Sequence, residues 1–187
     1  MKKLFCLVLA LMLIAISACA EAPEEAKAPE TRTRVLETEF GVSEITETYF
    51  AYENFSLWYR ADKLKAGFYF DHADFTPADA AEEDRSTSYL IVKADIAPEQ
   101  AENMIAEATG GYDDTWTIAM NREFETDGGR RVLSVDANNG LEIHRYYIVV
   151  GEESCLLITA MYHADIAEED VFFLDVMTKT IEFMPKA

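Results

Sequence analysis

Two consecutive segments near the C-terminus, Glu142–Val150 and residues 155–162, constrain this chain more than any other stretch. Both are rich in β-branched and aromatic residues, and Gly151-Glu-Glu-Ser154 between them reads as a turn, so together they predict an antiparallel hairpin. With Val150 opposite Ser154, one face carries Tyr146, Ile148, Val150, Leu156, Ile158 and Tyr162. The other carries Ile143, Tyr147, Val149, Cys155, Leu157 and Met161. Both faces are apolar, and strands apolar on both sides must be covered on both sides, by helices or by a folded-over segment.

The sequence supplies two helices for that task. Pro98 suits a first turn, Ala101, Met104, Ile105 and Ala108 share one face, and Gly110-Gly111 ends the pattern. Further on, Asp165 and Glu168 form a capping-box-like start, and Ile166, Phe173, Leu174, Met177 and Ile181 supply an apolar stripe. Strands are expected over residues 34–40, 54–59, 67–70, 88–96, 115–124 and 130–136, with Asn139-Gly140 a hairpin signal. Residues 71–85, acidic and Ala-rich around Pro77, read as a loop holding a helical turn.

The expected fold class is therefore α+β, a mainly antiparallel sheet covered by helices on both faces. The opening Phe55-Ser-Leu-Trp-Tyr59, the strand and helix over residues 89–108, the Gly-turned meander and the closing Thr180-Ile-Glu-Phe183 resemble the PsbP-like fold family. That family is named for an extrinsic photosystem protein and includes small bacterial lipoproteins. The resemblance spans most of residues 49–183 and leaves the residues before Tyr49 unexplained. It implies a three-layer sandwich with a binding or assembly role, and it carries over no active-site residue.

The place of work is written in residues 1–19. Lys2 and Lys3 give a basic start, residues 4–16 form an unbroken apolar run, and small residues lead into Cys19, which is the pattern of an export signal. Ile16-Ser17-Ala18-Cys19 resembles the bacterial lipobox. The resemblance implies that a signal peptide of residues 1–18 is removed and that Cys19 carries lipid. The chain would then hang outside the cytoplasm from the cell membrane or outer membrane. Two competing readings remain, a permanent transmembrane anchor and ordinary cleavage beside Ser17, Ala18 and Ala20. The first needs roughly 20 apolar residues, more than this run offers. Residues 19–33, with Pro23, Pro29 and no aliphatic side chain larger than Ala, read as the lipidated cysteine and a semi-extended tether. Residues 34–187 form one globular domain, of roughly 150 residues.

Charge and cysteines narrow the function. The formal charge is −19, and loss of Lys2 and Lys3 with the signal takes it to −21, which repels nucleic acid and acidic polymers alike. Of the three cysteines, Cys6 leaves with the signal and Cys19 takes the lipid. Cys155 is then alone inside an apolar run and reads as a core residue rather than a reactive thiol.

No motif for a reaction stands out. Histidine chemistry requires His72, His144 or His163. In the register above His144 faces Ala160 and His163 lies about opposite Leu141, three ladder positions away, roughly 10 Å at strand rise. That is too far to share a zinc ion. His163 with Asp165 is the remaining acid–base pair, and with the many carboxylates it keeps a cell-envelope hydrolase as the alternative function. Asp71-His72-Ala-Asp74 reads as a solvated loop rather than a ligand set. Residues 136–140 fail as a calcium loop, because Gly140 comes one place early and Tyr147 stands where the bidentate Glu belongs. No metal and no cofactor are expected.

Aromatics are dense between Tyr49 and Phe70, and most of them belong to the core. Trp58 and Tyr59 are the pair expected to stay open and line a groove for a peptide, glycan or lipid. The expectation is thus a non-enzymatic, lipid-anchored binding or assembly module. Its partners are the membrane, through Cys19, and an envelope protein or small ligand, with no nucleic acid. Cys19→Ala is expected to abolish fatty-acid labelling and cleavage before residue 19. A variant that stays membrane-bound and normally processed overturns the lipobox reading.

Overall fold

The computed structural model describes residues 28–38, 41–79, 90–165 and 168–185. The expected signal peptide, Cys19 and most of the expected tether lie outside the described residues, as does Ile166 of the expected helical stripe. Eleven strands are present among the described residues. They are β1 (Thr31–Thr38), β2 (Gly41–Tyr52), β3 (Phe55–Tyr59), β4 (Leu64–Phe68), β5 (Ala73–Pro77), β6 (Leu90–Ile96), β7 (Thr117–Glu125), β8 (Arg131–Asn138), β9 (Glu142–Val150), β10 (Cys155–His163) and β11 (Glu182–Phe183). Helix α1 (Ala101–Thr109), entered through one 3-10 turn at Pro98–Gln100, follows β6, and α2 (Glu168–Lys179) follows β10. Strand β1 starts inside the stretch read as tether.

The strands make two antiparallel sheets, one of four in the order β1-β2-β3-β11 and one of seven in the order β4-β5-β6-β10-β9-β8-β7. The two-faced hairpin lies inside the larger sheet, between β6 and β8. One of its faces is covered by α1, where Ala101, Met104 and Ile105 pack over Leu133, Ile148 and Cys155. The other is covered by the smaller sheet and α2. Phe50, Phe55 and Leu57 meet Phe75, Val92, Tyr147, Val149 and Ile158 there, and Leu174, Met177 and Ile181 close the side.

This overturns the expected α+β class and with it the PsbP-like three-layer sandwich. Strand accounts for 54% of the structure and helix for 15%, with two helices among the described residues and curled antiparallel sheets. The reason lies ahead of Tyr49. Residues 31–52 fold back on themselves as a hairpin with β1 and β2 paired from Thr31↔Thr48 to Thr38↔Gly41. This hairpin carries β3, so cover for the second face arrives chiefly as sheet.

Two local expectations also change. All four residues 151–154 belong to the turn, with the Gly151 N–H donating to the Ser154 carbonyl at 3.0 Å, so Val150 pairs with Cys155 and not Ser154. A shift of one residue exchanges the faces of a strand. Leu156, Ile158 and Tyr162 therefore share a face with Tyr147, Val149 and Ile143, while Cys155 and Leu157 join Ile148 and Val150. His144 lies opposite Met161, and His163 opposite Glu142. A Cβ at Gly151 would run into the Ser154 carbonyl and the Phe183 ring, which suits this tight corner to glycine.

The stretch read as an acidic loop contains β5. Ala73 and Phe75 are fully buried while Asp74 and Thr76 are half-buried, a period of two that the acidic, Ala-rich composition hid. Residues 80–89 lie outside the described residues.

Cys155 is fully buried, and burial pushes its thiol pKa up. A chain starting at Ala28 holds it as the sole cysteine. Such a chain is expected to leave a thiol reagent such as dithionitrobenzoate unreacted at pH 8 until urea unfolds it, then to react once per chain. Rapid labelling of the native protein would contradict the packing of β10 under α1.

Candidate functional site

Strand β11 is only two residues long and pairs with Phe55 and Ser56, so it leaves the rest of the β3 edge without a strand partner. The next backbone group is taken by the end of α2, where the Trp58 N–H donates to the Thr180 hydroxyl oxygen at 2.8 Å. Beyond it, where β3 turns into β4, a cleft of about 530 Å³ opens between β3, the 60–63 turn, the far end of β5 and α2. Trp58 and Tyr59 both line it.

The walls are largely apolar. Leu64 and Pro77 come from the β4–β5 hairpin, and Phe173, Leu174 and Met177 from α2. The Tyr59 ring packs edge-on against Phe75 at 5.3 Å, and burial raises its hydroxyl pKa, so the group is a neutral donor and acceptor at ordinary pH. The Trp58 ring is fixed by the Arg32 guanidinium 4.3 Å above it and by Tyr49 at 5.2 Å. At the mouth, Arg60 covers the Phe173 ring at 4.5 Å and donates two hydrogen bonds to Asp62, at 3.1 and 2.5 Å. Those bonds hold the Asp62 carboxyl below its usual range. A volume between 300 and 1,000 Å³, apolar walls and a few fixed polar groups are what a small-molecule site needs.

Lys63 and Asp79 also line the cleft, whereas the buried charges behind it are structural anchors. Glu47, only 1% exposed, reaches the cleft wall and accepts from Arg32 Nε at 2.8 Å and Arg34 Nη2 at 2.9 Å. A second network ties α2 to the large sheet. Arg145 donates through Nε and Nη2 to the two oxygens of Asp136, at 2.7 and 2.8 Å. Asp175 of α2 accepts from the Tyr147 hydroxyl at 2.7 Å, from Arg122 at 2.9 Å and from Arg145 at 3.4 Å. Burial opposes the Arg145 charge, but its hydrogen bonds to Asp136 prevail and its pKa rises. Burial likewise pushes the Tyr162 hydroxyl beside it up to about 12.

The other residues singled out by sequence are scattered. His163 and Asp165 are exposed at the end of β10, away from the cleft. His72 stacks on Tyr69 at 4.8 Å and bonds Asp71 at 2.7 Å at a hairpin tip. His144 sits under Trp116 and meets the Tyr112 hydroxyl at 2.6 Å, and burial lowers its pKa. Asp136 is engaged by Arg145, and the Asn138 and Asn139 side-chain oxygens cap the turn at Gly140, whose φ is +86°. Among the described residues no group of three His, Cys, Asp or Glu side chains is placed to hold a metal ion. The described residues also contain no helix long and apolar enough to cross a membrane.

Sequence reasoning missed Glu47, Arg145 and Asp175 as buried charges, and Asp136 as the half-buried partner of Arg145. The available signal was their position within otherwise apolar, alternating strands and an apolar helical stripe. No family model matches the chain, and no curated protein matches it in sequence.

Removing the acceptor of a buried hydroxyl leaves that donor unsatisfied, at about 1–3 kcal/mol. Asp175→Ala leaves the Tyr147 hydroxyl in that position, while Arg145 keeps Asp136 and Arg122 is exposed, so the unfolding free energy is expected to fall by about 1–3 kcal/mol in urea titrations. A loss below about 1 kcal/mol, the range of surface pairs, would mean that the network does not fasten α2.

Proposed function

We propose that the protein is a membrane-tethered, extracytoplasmic binding module that takes a small amphipathic ligand into the cleft beside Trp58 and Tyr59. The cleft itself carries this reading, since it has the size and the mixture of apolar wall and fixed polar mouth that a partly apolar molecule requires. Its walls come from three separate parts of the chain, β3, the β4–β5 hairpin and α2. The two charge networks behind them hold those parts in place. A preformed site loses little affinity to ordering on binding. The export signal, the lipobox-like Ile16-Ser-Ala-Cys19 and the acidic surface support the extracytoplasmic address.

Function without catalysis agrees with the site's chemistry. Of the three carboxylates that line the cleft, Glu47 and Asp62 are engaged by arginines, and Asp79 stands at its edge just beyond β5.

The protein purified from its own membrane is expected to carry a small molecule detectable by mass spectrometry. Tyr59→Ala and Phe173→Ser should lose it at least tenfold without unfolding. In a Trp116→Phe chain, Trp58 is the remaining tryptophan, and its emission should shift when that molecule is added back. Equal recovery of the molecule from wild type and both cleft variants would move the site elsewhere.

A further inference from the structure

The hairpin joining β4 and β5 ends in three successive aromatic residues that the cleft does not use. Phe68 is 65% exposed, Tyr69 41% and Phe70 100%. We propose that this tip is a membrane-contact wedge, with Phe70 at its point seated in the interfacial layer of a zwitterionic bilayer. The identity of the membrane rests on the lipid-anchor reading of Cys19.

Phe68 and Tyr69, which carry Phe70 at the point, are held in place. The Phe68 ring stacks on Phe50 at 4.9 Å, and the Tyr69 ring stacks on His72. The Tyr69 N–H donates to the His72 carbonyl at 2.9 Å, while the Tyr52 hydroxyl donates to the Tyr69 carbonyl at 2.6 Å. A backbone turn fixed in this way needs little ordering before its aromatic residues meet a surface, and the favoured place of aromatic side chains at a bilayer is the headgroup boundary.

Chain direction selects a bilayer over other apolar partners. Strand β1 runs antiparallel to β2, with Thr31 opposite Thr48 and the Glu30 carbonyl bonded to the Tyr49 N–H. Traced backward, the chain heads for the Tyr52 end of β2, the end that holds the aromatic tip. Thr48 and Tyr52 are four residues apart, roughly 14 Å at strand rise. The stretch between Cys19 and Glu30 spans at most roughly 40 Å, so an anchor on Cys19 draws this same end of the domain to the membrane. Once tethered, a weak apolar contact becomes an intramolecular event and is strengthened accordingly.

Charge selects the lipid. Glu53, Asp71 and Asp74 surround the tip, and the chain carries −19 overall, so anionic headgroups are repelled and the attraction has to be apolar. His72, on the same tip, is paired with Asp71.

The experiment places an environment-sensitive nitrobenzoxadiazole dye on Phe70→Cys, since Cys155 is buried. The control is Leu141→Cys. Leu141 is 76% exposed and lies at the opposite end of β9 from the Gly151 turn, whose Ser154 contacts Asn54 beside the tip. The lipidated full-length protein is reconstituted in phosphatidylcholine vesicles. In parallel, the chain from Ala20 is held by an N-terminal hexahistidine tag on phosphatidylcholine vesicles doped with nickel-chelating lipid. The proposal expects a several-fold rise and a blue shift of the dye at position 70 in both settings, and none at 141. Water-like emission at 70 on vesicles that carry the protein overturns the wedge and leaves the anchor reading intact. A purified native chain that lacks lipid and fails to float with vesicles overturns the anchor reading, and the tag-held chain still decides the wedge. A rise at 70 that appears only after envelope proteins are added assigns the tip to a protein partner and overturns the bilayer contact.

Discussion

The packing of β9 and β10 governs the rest of the molecule. Tyr147, Val149, Leu156 and Ile158 point one way and Ile148, Cys155 and Leu157 the other, and neither set tolerates water. Each fully buried aliphatic or aromatic side chain is worth about 1.5–3 kcal/mol relative to exposure, so both faces have to be closed together. Helix α1 is nine residues long and closes only the smaller patch. The larger one requires a broad lid, which the β1–β2–β3 sheet and α2 provide jointly.

That lid is fastened by charge as well as by apolar contact. Asp175 belongs to α2, while its partners Arg122, Arg145 and Tyr147 belong to β7 and β9. Glu47 plays the corresponding role within the smaller sheet, fixing Arg32 and Arg34 across the β1–β2 pair, and Arg32 in turn sits on Trp58. Buried ion pairs are costly to desolvate, and their best-supported use is to select one arrangement over others. Here the Asp175 network fixes α2, one wall of the cleft, against β7 and β9.

The cleft and the aromatic tip occupy opposite ends of one hairpin. Leu64 pairs with Pro77 at the cleft, and Phe68 pairs with Ala73 at the tip. Five residues of strand separate the two ends, roughly 14 Å from first to last. A domain resting on its tip would hold the cleft mouth clear of headgroups, open to molecules that arrive from the surrounding water.

What local pattern encodes was legible along the chain. Strands β3, β6, β7, β8, β9 and β10 and helix α1 fall near where alternation, helical spacing and turn residues put them, because those signals act over a few neighbouring residues. Trp58 and Tyr59, the pair expected to stay open, are half-buried, and the exposed aromatics are instead Phe68, Tyr69 and Phe70, because the β4–β5 tip projects beyond the core. Strand β5 was hidden because an acidic, Ala-rich segment shows its period of two only when Ala73 and Phe75 have a core to face. The one-residue register of β10 depended on whether Ser154 joined the turn. Local residue preferences leave that choice open, and burial of both faces settles it. By itself the sequence determined that a two-faced hairpin needed double cover, and its first nineteen residues hold the basic start, apolar run and Ile16-Ser-Ala-Cys19 on which the proposed export and anchoring rest. Only the tertiary structure decided that the second cover is mainly sheet, that Glu47 and Asp175 lie inside it, and that the aromatic tip shares an end with the incoming chain. These depend on contacts between residues up to 135 positions apart, such as Tyr49 and Met184, and no local pattern in the chain records them.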